Sequence, residues 1–483
     1  MIETEAIRKR VLDYAVLGYL TKDFISNSDI VDELSRLMDR KIETVNDDEC
    51  LYEIKKGWAW IRLNQLGDND KHSFADGPFG SNLKREHYTD KKEVRIIQLS
   101  NVGEHGWKNE NEKYTTYEHL KTIERSEVEP GNIVIAKMMP AGRAIVVPDI
   151  CDKYVLSSDC IKFVPFKGLS KEYICLAINS NIFRKQVLQD VHGIGRERTS
   201  LSKIKTYMIP LPTIEEQKLI VEKVNSIFAL LDRIDILQAD YAKNKEVLKS
   251  KLIDAAISGH LSKQQKEDGT AEELLEKIQE EKSHLEKEGK IKKSKKLPEI
   301  TPEEIPFEIP KNWNLIRLGE VLILINGDRG KNYPAKSKLS FEKGIPFISA
   351  INMDNKSISK DKLLYLTQKQ YDLLGSGKLE KGDLVVCIRG SLGKNCIYPY
   401  DEGAIASSLV ICRAPVEQGI IHKYISYYFD SGLFNNEIHR YDKGSAQPNL
   451  GARDLEKFIV PLPPLAEQNR IVETLDKLLS NLS

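Results

Sequence analysis

Residues Pro210 to Leu261, PLPTIEEQKLIVEKVNSIFALLDRIDILQADYAKNKEVLKSKLIDAAISGHL, decide how the rest of the chain is read. Ile220, Val224, Ile227, Leu231 and Ile234 alternate spacings of four and three, and the register continues through Gln238, Tyr241, Lys245, Leu248 and Leu252. That is a heptad seam with two polar interruptions, at Gln238 and Lys245. No proline falls between Pro212 and Pro298, and the first glycine after Pro212 is Gly259. The pattern predicts one helix from Thr213 to Ser258, roughly 70 Å long at 1.5 Å per residue. A helix of that length is too long for the core of one domain and reads as a spacer.

Working outward, the border of this stretch recurs. Pro461-Leu462-Pro463, Glu467-Gln468 and Ile471-Val472-Glu473 repeat Pro210-Leu211-Pro212, Glu216-Gln217 and Ile220-Val221-Glu222, each offset by 251. Upstream, Tyr52-Glu53-Ile54-Lys55-Lys56-Gly57-Trp58 matches Phe307-Glu308-Ile309-Pro310-Lys311-Asn312-Trp313 at an offset of 255. Two modules of nearly equal length therefore lie between matching borders, while their interiors agree only sparsely. A third match pairs Ile7–Leu20 with Leu248–Leu261 at an offset of 241. The start of the chain thus repeats the end of the central helix, and the end of the chain repeats its beginning. This circular order predicts a second, once-broken rod built from the two terminal segments, antiparallel to the first.

Within each module, short apolar runs bounded by Gly, Pro and Asp predict strands at Val94–Leu99, Ile133–Ala136, Ile145–Val147, Ile345–Ile348, Leu384–Ile388 and Leu409–Cys412. Helical patches follow at Lys171–Leu188 and His422–Phe434. The expected division is a helical segment 1–45 completing the distal spacer, a first module 46–212 and the central helix 213–262. A charged helix and linker 263–305, a second module 306–463 and a C-terminal helix 464–483 complete it. The cluster Lys292–Lys296 reads as a solvated part of that linker.

Composition bounds the function. Of 483 residues, 41% are hydrophobic and 30% charged, with 72 basic and 72 acidic side chains, so bulk charge points to no nucleic-acid partner. The seven cysteines form no C-x-x-C pair and read as buried free thiols in a reducing cytosol, hence a cytoplasmic protein. No apolar run approaches the ~18 residues that a membrane span needs.

Catalytic motifs fail. Gly375-Ser376-Gly377-Lys378 misses both the upstream glycine and the following Ser/Thr of a phosphate loop, and Gly193-Ile194-Gly195 lacks a third glycine. The nine histidines show no metal-ligand spacing, so neither a metal nor a cofactor is expected in this chain. What remains is loops that let a backbone approach a ligand closely beside cations. In the first module these carry Ser81, Asn82, Lys84, Arg85, Lys137, Arg143, Arg196 and Arg198. In the second they carry Arg329, Lys331, Asn332, Tyr333, Arg389, Lys394, Lys443, Ser445, Gln447 and Asn449. Arg, Lys, Asn and Gln are side chains that bond base edges in pairs.

The two Pro-Leu-Pro…Glu-Gln borders, Asp76-Gly77-Pro78-Phe79-Gly80-Ser81, Gly327-Asp328-Arg329-Gly330-Lys331-Asn332-Tyr333-Pro334 and the circular repeat together resemble the specificity subunit of type I restriction–modification systems. The resemblance spans essentially the whole chain. It implies an α/β (α+β) fold: two globular mixed α/β target-recognition domains, separated by two long antiparallel coiled-coil-like helical spacers in a pseudo-twofold circular repeat. It implies double-stranded DNA as ligand, with each domain reading half of a bipartite site. It further implies two modification subunits that bind S-adenosylmethionine, and restriction subunits that use ATP and Mg. Glu216, Gln217, Glu467 and Gln468 are the expected partner-binding residues, and no active site is expected here. Two other readings stay open: a recognition chain with its own nuclease or methyltransferase activity, and a coiled-coil scaffold that does not touch DNA.

Overall fold

The computed structural model describes residues 1–190, 198–293, 295–354, 356–441 and 450–482. It divides into two units, Met1–Ala239 and Asp240–Ser483. The central helix spans Ile214–Ile257, one residue shorter at each end than expected, and belongs to both units.

Each unit is closed by a two-stranded antiparallel ribbon built from its borders. Ala59–Arg62 pairs with Met208–Leu211, with Trp60 opposite Pro210. Asn314–Arg317 pairs with Ile459–Leu462, with Leu315 opposite Pro461. A two-stranded ribbon tolerates these prolines because each strand has an edge that needs no N–H donor.

Between the borders, each unit folds two four-stranded sheets in the same order. In unit 1 one sheet runs Phe74–Asp76, Cys160–Phe163, Ile133–Ala136, Ala144–Val146; its counterpart in unit 2 runs Ile323–Asn326, Leu409–Arg413, Leu384–Cys387, Asn395–Ile397. The other sheet contains one parallel pair per unit, Val94–Ile97 with Tyr154–Leu156 and Ile345–Ile348 with Glu402–Ile405. All six expected strands are present within two residues of their predicted ends. Ile133–Ala136 and Leu384–Cys387 are buried throughout, which is why they read as continuous apolar runs and not as alternating ones.

Each expected helical patch is two helices. Lys171–Asn179 and Asn181–Gln189 are separated at Ser180, whose Oγ accepts from Phe183 N at 3.3 Å. Gln418–Tyr428 and Gly432–Tyr441 are separated at Ser431, whose Oγ accepts from Phe434 N at 3.2 Å. A serine cap satisfies an orphan N–H of the second helix and fixes the break.

The circular repeat has a structural basis in each unit. In unit 1 the helix Thr4–Val16 lies antiparallel on the central helix. Arg8 Nη2 donates to Asp232 (2.8 Å) and Asp235 (3.0 Å), and Ile2 N donates to Gln238 Oε1 at 2.5 Å. Asp13 accepts from Asn181 N and Nδ2, both at 2.9 Å. In unit 2, Asp254 of the central helix accepts from Gly432 N at 2.7 Å, at the same offsets of 241 and 251. Gly18 and Gly259 end these helices at φ +81° and +80°, and a Cβ there would lie 3.4 Å from the Trp58 ring and 3.5 Å from the Trp313 ring respectively. A side chain at either place would be strained.

Two expectations change. The seam of the central helix is buried at Ile220, Val224 and Leu231, but Tyr241 and Leu248 are 65% and 44% exposed. The helix that covers the seam in unit 1 makes its outermost bond at Gln238, so the heptad pattern outlasts its partner. Second, the segment 1–45, read as completing a spacer, carries an additional helix packed into unit 1, while the helix expected within 263–305 is present and packs into unit 2. Ile30–Met38 buries Ile30, Leu34 and Met38; Ala271–Lys287 buries Ala271, Leu274, Ile278 and Lys282. Ile30 N donates to Gly57 O and Ala271 N to Asn312 O, both at 3.1 Å, just before the matching tryptophans. Lys282 Nζ donates to Gly319 O (2.7 Å) and Leu322 O (3.0 Å), and burial pulls its pKa down to about 8.

Candidate nucleic-acid interface

The borders hold each module to its helix through buried polar side chains. Glu216 is 1% exposed; its Oε2 accepts from Trp58 Nε1 at 2.8 Å and its Oε1 from Lys55 Nζ at 2.6 Å. Glu467 repeats this with Trp313 Nε1 at 2.8 Å and Ser262 Oγ at 2.7 Å. Gln217 Oε1 accepts from Ser170 N at 3.0 Å, and its Nε2 donates to Pro212 O at 2.9 Å. Gln468 Nε2 donates to Pro463 O at 2.9 Å. All four side chains expected to meet a partner are therefore turned into their own unit. The repeated border residues that do face solvent are Glu222 and Glu473.

The candidate DNA-contacting loops converge at one end of the matched sheet in each unit. In unit 1, Asp76 ends a strand and Gly77 passes the turn at Ser157–Ser158 so closely that a Cβ there would sit 1.7 Å from Ser157 O. Only glycine permits that approach. The loop then closes through Asn82 N donating to Phe79 O at 2.7 Å, and presents Ser81, Asn82, Lys84 and Arg85 to solvent. Asn82 O also bonds the His119 ring at 2.9 Å, and His119 stacks on His87 with centroids 4.0 Å apart. Lys84 Nζ lies 3.6 Å from Glu86, an exposed pair that contributes little.

The loop after Ile133–Ala136 joins this surface. Lys137 Nζ donates to Asp76 Oδ1 at 2.9 Å, Lys137 N to Asp159 O at 2.9 Å, and Thr199 N to Lys137 O at 3.0 Å. Lys137 is thus a brace for the loop, and exposed Arg198 is brought beside Met138 by a β-bridge. Arg143 is half-buried near Glu104, and its Nε donates to Pro140 O at 3.2 Å; burial lowers its pKa. Arg196 lies outside the described residues.

Unit 2 builds the same frame with other side chains. A Cβ at Gly327 would lie 2.8 Å from Ala406 O. Ile388 N donates to Ser408 O and Leu450 N to Ile388 O, both at 2.9 Å, matching the bonds made by Lys137. Ile388 thus stands where unit 1 has Lys137, and Asn326 where it has Asp76, so the brace has no ionic counterpart there. Arg389 is exposed on a turn between Ile388 and Lys394, with Gly390 and Gly393 both at φ +79°. Arg329 Nη2 donates to Ser407 O at 3.2 Å, Asn332 Nδ2 to Leu373 O at 2.9 Å, and Tyr333 meets the Phe347 ring edge-on at 6.0 Å. Lys331 is exposed. Asp328 accepts from Gly330 N (2.6 Å) and Gly375 N (2.7 Å), and these bonds hold its carboxyl below the usual range. Lys443, Ser445, Gln447 and Asn449 lie outside the described residues, just before Leu450.

One candidate feature was not visible in the sequence. A cleft of about 520 Å³ opens beside the unit 1 loop, lined by Leu83, Tyr88, Gln98, Asn111, Lys113 and Asp159 among others. Its polar groups come from loops more than 70 residues apart, and Gln98 is held in place by its own N–H donating to Asn101 Oδ1 at 2.8 Å. Of the cysteines expected to be buried free thiols, Cys160, Cys387, Cys396 and Cys412 are buried, whereas Cys50, Cys151 and Cys175 are free thiols but only half-buried; burial pushes Cys160 up to about 12. Among the described residues no three His, Cys, Asp or Glu side chains group to hold a metal, and no helix is long and apolar enough to cross a membrane.

Two mixed α+β domains thus share one repeated frame and differ in the side chains on the loops at one end of it. The family model for the type I restriction modification DNA specificity domain matches residues 81–239 and 310–483, and the chain belongs to that family. Similar proteins include the specificity subunit of the Escherichia coli type I restriction enzyme EcoAI, 22% identical over 98% of this chain and 88% of the relative. The EcoEI specificity subunit, also from Escherichia coli, is 24% identical over 97% of this chain and 88% of its own length. The HsdS subunit from Thermoanaerobacter tengcongensis has a similar fold, with a TM-score of 0.51 and 19% identity over 90% of this chain and 92% of that one. A structure concerned with complex assembly and conformational transition of the type I R-M system gives a TM-score of 0.58 at 18% identity, covering 89% and 92%. The chain is accordingly a specificity protein and not itself the catalyst.

Proposed function

We propose that this chain reads a bipartite double-stranded DNA site for a cytoplasmic type I restriction–modification complex, one half-site per unit. Methylation and cleavage belong to its partners: modification subunits carrying S-adenosylmethionine, and restriction subunits using ATP and Mg. One observation carries the reading. Both units bring the same loops to the same end of the same sheet, on matching backbone bonds, yet arm them with different side chains. A shared frame with divergent loops suits two readers of unlike sequences, because base contacts specify while the frame positions. Docking of the modification subunits is assigned to the exposed faces of the repeated borders at 211–222 and 462–473, since one partner type bound twice needs the same surface twice.

The test is to co-express the chain with the modification subunits of its own system and map methylated adenines on host DNA. The reading requires a two-part motif with a fixed gap. Methyl transfer or strand cleavage by the purified chain alone would support the enzyme reading instead.

A further inference from the structure

A buried asparagine makes the same clamp in both units. Asn101 accepts at Oδ1 from Gln98 N (2.8 Å), donates from Nδ2 to Glu110 O (2.7 Å) and accepts at its carbonyl from Lys108 N (2.9 Å). Asn352 accepts at Oδ1 from Ser349 N (3.0 Å), donates from Nδ2 to Asp361 O (3.4 Å) and accepts at its carbonyl from Ser359 N (2.7 Å). Every pair of counterparts is offset by 251, so one backbone device is used twice. The residue after the clamped carbonyl is Asn111 in unit 1 and Lys362 in unit 2. Both are left-handed, at φ +49° and +56°.

Asparagine tolerates that backbone, whereas lysine is strained where glycine would be relaxed. Both side chains are exposed, and neither is bonded within the described residues. The clamp therefore imposes the backbone shape and leaves the side chain to some other use. A strained lysine kept where the fold draws nothing from it points to a contact outside the chain.

The surroundings say where that contact lies. Asn111 lines the unit 1 cleft together with Gln98, with Leu83 of the 77–85 loop and with Ser157 and Ser158, the turn that Gly77 passes. Lys362 stands two residues before Leu364, which pairs with Phe347, and the Phe347 ring meets Tyr333 of the unit 2 loop. On this shared backbone the neighbouring side chains diverge as well. Gln98, Ser100 and Lys113 correspond to Ser349, Ile351 and Leu364, and Ile351 is 71% exposed. None of these positions lies in the borders or glycine loops that mark the family.

Resting on the DNA-reading function proposed above, we infer that Asn111 and Lys362 are corresponding specificity-determining residues, each reading a base edge in the half-site of its own unit. An asparagine amide matches the donor and acceptor of adenine, and a lysine ammonium the paired acceptors of guanine.

The experiment exchanges the two residues in the chain assembled with its modification subunits and maps the methylated sites. Asn111→Lys should change or relax one base pair of one half-site, with guanine the base gained, and leave the other half and the gap as they were. Lys362→Asn should act on the opposite half, with adenine gained. Lys362→Gly removes the strain along with the side chain. Its urea midpoint should equal or exceed that of wild type, while discrimination at one base pair falls about tenfold. An unchanged motif in either exchange, or both exchanges altering the same half, overturns the inference. Lys362→Gly binding all sequences more weakly with an unchanged motif, and with a salt slope lower by about 1, also overturns it and assigns the lysine to a phosphate. A lowered midpoint in Lys362→Gly overturns it too, and returns the residue to the fold. Failure of the wild-type complex to methylate a bipartite site would instead remove the underlying reading.

Discussion

Replacing Glu216 or Glu467 by alanine separates a buried clamp from a docking contact. Either change removes the acceptor of a buried tryptophan N–H, at 2.8 Å in both units. Leaving one such donor unpaired costs about 1–3 kcal/mol. In unit 1 the change also takes the carboxylate from Lys55, whose side chain is 21% exposed and keeps bonds to Thr21 O and Phe24 O. Full breakage of a buried ion pair costs roughly 3–5 kcal/mol. Because that ammonium keeps two acceptors and some water, Glu216→Ala should destabilise unit 1 by about 3 kcal/mol. Glu467→Ala has no ion pair to break and should destabilise unit 2 by about 2 kcal/mol. The chain has four tryptophans, with Trp58, Trp60 and Trp107 in unit 1 and Trp313 in unit 2. Urea unfolding followed by fluorine NMR of 5-fluorotryptophan-labelled protein therefore reports each unit by itself. Glu467→Ala should shift the Trp313 resonance and its midpoint and leave the other three unchanged. Unchanged midpoints in both variants, together with lost co-purification of modification subunits, would show that these carboxylates serve a partner and refute the clamp.

Three further outcomes follow. Glu222→Lys with Glu473→Lys, both on the solvent face of the repeated border, should leave unfolding midpoints within about 0.5 kcal/mol while reducing capture of modification subunits. Lys84→Ala with Arg85→Ala should weaken DNA binding, lower the slope of log K against log salt by up to about 2, and clear the footprint over one half-site only. His422 is buried, its Nδ1 against Gly382 O at 2.6 Å and its Nε2 accepting from Ala414 N at 2.7 Å, and burial lowers its pKa despite Asp383 nearby. The unfolded chain then takes up a proton first as pH falls below about 6.5, so unit 2 should lose up to about 1.4 kcal/mol per pH unit there. His422→Gln should lack that component, as paired urea titrations at pH 7 and pH 5.5 would show.

Much of the fold was legible because local and global signals agreed. The buried runs Ile133–Ala136 and Leu384–Cys387 read as strands from their own composition, and the offset-241 match aligned Asp13 with Asp254, which the fold gives the same kind of bond. Ser180 and Ser431, related by the 251 offset, carried a cap signal that would have split the helical patches. The border glutamates illustrate the limit. A Glu in the first turn of a helix looks solvent-facing, and the partner that buries it, Trp58, stands 158 residues away. The helix Ile30–Met38 shows only a narrow apolar stripe and is held by contacts to the Trp58 border that periodicity does not contain. Of the candidate site, the glycine-bounded loops were readable because close backbone approach needs glycine. Lys137 was not readable as a brace, because its partner Asp76 is set by the sheet register.

The most direct measurement of the central claim is a methylome of cells carrying this chain and its modification subunits, compared with cells in which residues 77–85 are replaced by a loop of unrelated sequence that keeps Gly77. The account predicts a bipartite adenine-methylation motif in the first case. In the second, the half-site read by unit 2 and the gap should persist while the other half-site is altered or relaxed. A single undivided motif, or simultaneous change of both halves, would contradict it.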